Sequence, residues 1–221
     1  MKICTLCPRM CTVDRKSGER GVCGQTEEIK VARAALHFWE EPCISGEKGS
    51  GAVFFSGCAL HCVFCQNENI ANGTAGKVIS TERLGEIFLE LQEKGANNIN
   101  LVTPGQFVPQ IIKAVELARN QNLKIPIVYN TSSYENVDTI RSLEGIVDIY
   151  LPDFKYWNAA LSAKYSHAPD YPSVAKKAIE EMVRQTGAAV FENGEDSLMK
   201  RGMIVRHLIL PGCTKDSKAV L

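Results

Sequence analysis

From Gly51 onward the apolar positions of this chain fall into two alternating rhythms. Short, near-continuous runs read as strands covered on both faces: "GAVFF" at 51–55, "NINLV" at 98–102, "IPIVYN" at 125–130, "IVDIYLPDF" at 146–154 and "MIVRHLIL" at 203–210. Between them lie longer stretches with apolar residues three and four apart, at 80–95, 108–122, 136–145 and 171–187, which read as helices. The first has Ser80 or Thr81 as N-cap, Leu84, Ile87, Phe88 and Leu91 on one face, and Gly95 as its stop. The last has Pro172 near its start and Gly187 at its end. Residues 188–202 read as a hairpin turning at Asn193-Gly194. This alternation predicts an α/β fold: a parallel sheet with helices outside it, either open or curled into a full or partial barrel. In both cases the functional loops belong at the C-terminal ends of the strands. Residues 1–45 do not follow the alternation. They are expected as a small cysteine-rich N-terminal appendage ahead of a core at 46–221.

Composition narrows the partners more than the fold. With 25 Lys and Arg against 25 Asp and Glu, the formal net charge is zero, which gives no electrostatic reason to expect a nucleic acid or an anionic membrane as partner. No stretch approaches the ~18 apolar residues of a membrane span. The opening "MKICTLCPRM" lacks the apolar region of a secretory signal, so a cytoplasmic location is expected.

Nine cysteines change the picture. Seven fall in two clusters, Cys4/Cys7/Cys11/Cys23 and Cys58/Cys62/Cys65, while Cys43 and Cys213 stand alone and are left as buried thiols. Without an export signal, metal binding suits such clusters better than disulfides. The triple set follows the first core strand directly, where functional loops are expected. Closed structural zinc takes four protein ligands and a disulfide takes two, so three thiolates suggest a centre with a position left open. A four-iron cubane held by three cysteines has such a position. A zinc site completed by His61 is the competing reading, because soft-ligand chemistry admits both metals.

The spacing Cys58-x3-Cys62-x2-Cys65 after a strand, with Phe64 just before the third cysteine, resembles the radical S-adenosylmethionine (SAM) enzymes. The segments "VFFSGCALHCVFCQN", "VDIYLPDFKY" and "IVRHLILPG" together resemble the pyruvate formate-lyase activating enzymes and their uncharacterised relatives. "CTLCPRMCTVDRKSGERGVCG" and "ARAALHFWEEPCISG" are similar to the N-terminal part of those relatives in particular.

The resemblance implies a partial (β/α)6 barrel, of which only five parallel strands are counted. The chain stops inside a further helix capped by Asp216 or Ser217, so it is expected to end before the sixth strand. The resemblance also implies that Cys58, Cys62 and Cys65 hold a [4Fe-4S] cluster whose fourth iron binds SAM. Reduction by a partner such as flavodoxin or ferredoxin then cleaves SAM to a 5′-deoxyadenosyl radical, which takes a hydrogen atom from the substrate. In an activating enzyme that substrate is a glycyl radical enzyme.

Residue by residue, the resemblance sets Phe64 near the adenine and Asp153 and Lys155 near the SAM carboxylate or a cation. Asn130 stands where the activating enzymes have the Asp of Asp-Thr, without the charge that a cation would use. Arg206 and His207 match an Arg-His pair on the fifth strand. Because alternate strand residues face opposite ways, one of the two lines the site, and His207 is the expected one. One departure stands out. Where those enzymes have Gly-Gly-Glu, this chain has Thr103-Pro104-Gly105-Gln106.

Cys4, Cys7, Cys11 and Cys23 supply a closed set of four thiolates, expected as a second metal site holding either an iron–sulfur cluster or zinc. His37, Trp39 and Glu40 could line a substrate surface. Two other functions compete with the enzyme: an iron–sulfur electron carrier that cleaves no SAM, and a zinc-stabilised binding module.

Overall fold

The computed structural model describes residues 3–192 and 197–221. Its strands are β1 (Ile29–His37), β2 (Ser50–Phe55), β3 (Lys77–Ile79), β4 (Ile99–Val102), β5 (Ile127–Thr131), β6 (Ile149–Pro152), β7 (Val190–Phe191) and β8 (Met199–Met203). They form one mixed sheet in the order β3-β1-β2-β4-β5-β6-β8-β7. The run β2-β4-β5-β6-β8 is parallel, with β1 antiparallel to β2 and β3 at one side and β7 antiparallel to β8 at the other. The expected α/β fold is therefore present, with the curled sheet of a partial radical-SAM-type barrel.

The helices are α1 (Pro42–Ser45), α2 (Glu68–Ala71), α3 (Thr81–Glu93), α4 (Val108–Asn120), α5 (Val137–Arg141), α6 (Ala159–Ser166), α7 (Tyr171–Thr186) and α8 (Thr214–Val220). Ser80 caps α3 by accepting from Arg83 N at 3.1 Å, and Gly95 beyond its end has φ +87°. Pro172 falls in the first turn of α7, and Gly187 follows its last residue.

Period-two alternation sends successive strand residues to separate cores. Leu101, Tyr129 and Tyr150 pack against Phe88, Leu91, Ile111 and Val115 of α3 and α4. Val128, Ile149 and Leu151 meet Ile44 of α1 and Met199. Asn98 Nδ2 donates to Ile44 O at 2.8 Å, so α1 closes the end of the sheet where the strands begin. The opposite end is left for chemistry.

Several expectations shift. Residues 29–37, placed in the cysteine-rich appendage, form β1 beside β2. The expected strand 203–210 begins at Met199, and its pairing with β6 runs at constant offset from Gly202–Ile149 to an isolated bridge between Arg206 and Asp153. Beyond Arg206 the apolar Leu208 and Ile209 are exposed rather than paired in a ladder. β7 and β8 pair as the hairpin predicts, but its Asn193-Gly194 turn lies outside the described residues. α8 starts earlier than Asp216. Cys213 holds its N-cap position, Ser217 is inside the helix, and Asp216 accepts from Trp157 N and Asn158 N at 3.2 and 2.7 Å. Asp216 therefore docks α8 onto the loop before α6 instead of capping its own helix. Among the described residues no strand follows β8.

One buried acid stands out above β5. Glu135 Oε1 accepts from Thr131 Oγ1 at 2.7 Å and Tyr129 Oη at 3.3 Å. Burial pushes its pKa up to about 7, although both hydrogen bonds favour the anion. The folded state therefore keeps a proton that the unfolded chain has released, over the window from 4.5 to about 7. This contribution to stability is full below that window and is lost as pH rises through it, by roughly 3 kcal/mol. Glu135→Gln should remove this slope, so its melting temperature relative to the parent should be clearly higher at pH 8 than at pH 5. Equal differences at both pH values would show that the carboxyl is not held protonated.

Candidate metal centre

β2 delivers the chain to Gly57, where φ is +87°. A Cβ there would collide with the Cys23 carbonyl oxygen and the Gln25 side chain, so only glycine permits this approach between the two cysteine segments. The loop that follows lies on a cluster of Leu60, Tyr134, Phe154, Tyr156 and Tyr171, against which Cys58, Cys62 and Phe64 pack.

The three thiols have unequal surroundings. Leu60 N donates to Cys58 Sγ at 3.4 Å. Ser166 Oγ donates to Cys62 Sγ at 3.0 Å and is itself bonded to Tyr156 Oη at 2.6 Å. Burial raises the pKa of both thiols. It is opposed by backbone donors from Leu60 and His61 at Cys58, and by Lys155 and Ser166 at Cys62. His61 turns away: its φ is +50° and its Nε2 meets Val22 O at 2.9 Å. Among the described residues no three His, Cys, Asp or Glu side chains converge as one metal ion requires, and all nine cysteines are free. His61, engaged with the Val22 carbonyl, does not turn towards the three thiols. Three soft donors on one loop that lacks a fourth fit a four-iron cluster with one iron open.

Beside this loop the strand ends bring polar side chains together. Lys155 Nζ donates to Asp153 Oδ2 at 2.6 Å, and Arg206 Nε donates to Asp153 Oδ1 at 2.9 Å. Arg206 also donates to Asn130 Oδ1 at 2.6 Å and reaches Glu40 Oε2 at 3.3 Å and Glu41 Oε1 at 3.7 Å. Burial opposes the charge of Lys155, but Asp153 and Cys62 outweigh it and raise the pKa. Burial raises the pKa of Glu40 against the pull of Arg206. Asn130, Asp153 and Lys155 are thus joined in one network, whereas His207 is not part of it. His207 Nδ1 meets Phe154 O at 2.7 Å and its Nε2 meets Ser217 Oγ at 2.9 Å, so Arg206 is the member of the pair that faces the network. Glu40 is in place as well, while Trp39 of the same stretch is exposed. Phe64 sits edge-on to Tyr156, with centroids 6.4 Å apart.

Of the other positioning residues, Gln106 stands out in the sequence only as part of the departure from Gly-Gly-Glu, and Tyr171 and Arg9 not at all. Gln106 Nε2 donates to Ser56 O, Gly57 O and Thr103 O at 2.9, 3.1 and 2.9 Å, bracing the loop after β4 against the start of the cysteine loop. A glutamate there could not donate, which gives the departure from Gly-Gly-Glu a structural reason. Tyr171 Oη accepts from Lys155 N at 2.9 Å and lies 2.9 and 2.8 Å from the Ser132 and Asp153 carbonyls. Arg9 donates to Ala59 O, His167 O and Ser166 O at 2.8, 2.6 and 3.1 Å, strapping the N-terminal segment onto the cysteine loop.

Comparison with known proteins agrees with this geometry. A profile of the radical SAM superfamily matches residues 52–191, more than half of the chain. An uncharacterised protein of Methanocaldococcus jannaschii is 28% identical over 217 residues, covering 95% of this chain and 57% of its own length. The chain therefore spans little more than half of that relative. No helix among the described residues is long and apolar enough to cross a membrane. The strand-borne cysteine loop and the extent of the profile match lead to one conclusion: this chain belongs to the radical SAM superfamily, the class that cleaves SAM at a cysteine-held four-iron cluster.

Proposed function

We propose that the chain abstracts hydrogen in the manner of the activating enzymes, with a glycyl residue of a partner protein as its target. The observation that supports this reading is the network of Asn130, Asp153, Lys155 and Arg206 beside Cys62, since an electron carrier needs no such charges at its strand ends. Cys58, Cys62 and Cys65 would hold the cluster. Once reduced by a small electron-transfer protein, cluster and SAM supply one-electron cleavage of a carbon–sulfur bond and hydrogen abstraction. Lys155 has donors to spare beyond Asp153 and offers them to a carboxylate. Asp153, held by two cations, keeps Lys155 charged and aimed. Phe64 offers a half-buried ring edge for a flat base, and the tyrosine cluster beneath the loop keeps water from that side.

Anaerobic reconstitution with iron and sulfide, then reduction in the presence of SAM, should yield deoxyadenosine. A full complement of iron with no deoxyadenosine would instead favour an electron carrier. Deuterium passing into deoxyadenosine from a partner protein grown on α-deuterated glycine would support the activating role. Transfer only from a small molecule would refute it.

Replacing Cys58 with Ala should abolish deoxyadenosine formation, because the loop offers no substitute thiolate. A Cys58→Ala protein that still cleaves SAM would overturn the ligand assignment. Lys155→Ala should weaken SAM binding about tenfold or more, the loss of a charge-assisted contact, with a melting temperature within a few degrees of the parent. A large drop in melting temperature with unchanged SAM affinity would make the Lys155–Asp153 pair purely structural.

A further inference from the structure

The proposed function makes no use of the four N-terminal cysteines, yet the fold gathers them. Cys4, Cys7, Cys11 and Cys23 all line one pocket, which Cys58 of the triple set also lines. A Cβ at Gly21 would stand 3.1 Å from Cys11 Sγ and 3.6 Å from Cys23 Sγ, so the bare glycine leaves room between these two thiols. Cys4 N donates to Val13 O at 2.9 Å and Thr12 N donates to Cys4 O at 3.2 Å, folding the first three cysteines into a tight knuckle. Met10 and Thr12 have φ of +42° and +52°, strain that persists only where the surroundings over-determine it.

A second, independent observation points to an anion here. Arg15 is buried, and its guanidinium bonds the carbonyls of Thr26 and Gln106 and lies over the Phe107 ring. No carboxylate comes within ion-pair distance of it among the described residues, and Cys4 Sγ lies 3.9 Å from Nη1. A buried cation without a counter-charge is costly. Four neutral thiols would leave it so, whereas a metal held by four thiolates is a net anion.

The choice of metal follows from the spacing. A zinc ribbon closes on two Cys-x2-Cys knuckles, and this set has one, Cys4-x2-Cys7, with Cys11 and Cys23 outside it. Four thiolates gathered in this way suit a fully ligated iron–sulfur cluster. We propose that Cys4, Cys7, Cys11 and Cys23 hold a second four-iron cluster, fully ligated by protein and charge-balanced by Arg15. Having no open iron, it binds no SAM, so the two centres can be assayed separately.

The test is the metal content of protein reconstituted anaerobically with ferrous iron and sulfide. The parent should take up about eight irons, and a Cys58/Cys62/Cys65→Ala variant should retain about four irons with matching sulfide. Cys4→Ser with Cys7→Ser should remove the second cluster, leaving about four irons and SAM cleavage in place. Arg15→Gln should lose iron to a chelator at least about tenfold faster from this centre, consistent with removal of a charge-assisted partner. An unchanged rate would overturn the charge-balance argument. A parent with only about four irons, all lost in the triple variant, would overturn the proposal. So would stoichiometric zinc in the N-terminal set that iron and sulfide fail to displace. Iron kept by the triple variant while the parent makes no deoxyadenosine would count against the proposed function alone.

Discussion

A thiol taken out of water gives up its proton only where positive charge stands ready to receive the anion, and this requirement organises the C-terminal end of the sheet. Burial raises the pKa of Cys7, Cys23, Cys58 and Cys62 alike, and that of Cys7 reaches about 12. None of these becomes a thiolate at neutral pH unaided. The fold meets the need with two fixed cations: Lys155 bears on Cys58 and Cys62, and Arg15 on Cys23 and Cys4. Bound metal would complete what these charges begin. The raised pKa values therefore describe the cost of holding these thiols in a dry loop, a cost the two cations oppose.

Keeping those cations in place is the task of groups that do no chemistry. Tyr171, the first residue of α7, holds the backbone of Asp153 and Lys155 against the loop after β5. Gln106 holds the loop after β4 against the start of the cysteine loop. Arg9 reaches from the N-terminal knuckle to Ala59 and to Ser166, whose hydroxyl in turn donates to Cys62. Each is a donor set against backbone carbonyls, so each fixes a position without adding a titrating acid. The two cysteine segments are thereby made one mechanical unit, joined also by the Gly57–Cys23 approach and the His61–Val22 hydrogen bond.

What the sequence made legible follows from locality. The apolar runs of β2, β4, β5 and β6 and the capped helices α3 and α7 are written in adjacent residues, and the cysteine spacing is a local motif. The position of β1 was not legible, because its "IKVARAALH" alternates weakly and gains its meaning only by pairing with β2 and β3. Nor does the sequence fix which of Arg206 and His207 meets the Asp153 network, although His207 is the expected one. A period of two fixes that they face opposite ways, but which faces inward depends on where the β6–β8 ladder starts. That start lies at Gly202, amid residues without a strong strand pattern. Glu135 and Arg15 escaped notice for a related reason: a charged residue in a loop looks solvated until the tertiary structure buries it.

The choice of Arg206 has a consequence for Lys155. A guanidinium presents its donors in a rigid fork, and here the fork is spent on Asp153, Asn130 and Glu40 together. Asp153 thus gives one oxygen to Arg206 and the other to Lys155, and the acid is locked from both sides. A histidine in that place could have supplied one donor at most towards the network, and its charge would have varied near neutral pH. With an arginine that never titrates holding one oxygen, the orientation of Asp153 does not depend on Lys155. The lysine can then turn part of its ammonium to an incoming carboxylate without releasing the acid that aims it. Buried lysines paired one-to-one with an acid lack that freedom, because redirecting the lysine leaves the acid unpaired. The shared carboxylate leaves the lysine of an otherwise ordinary ion pair with donors in reserve.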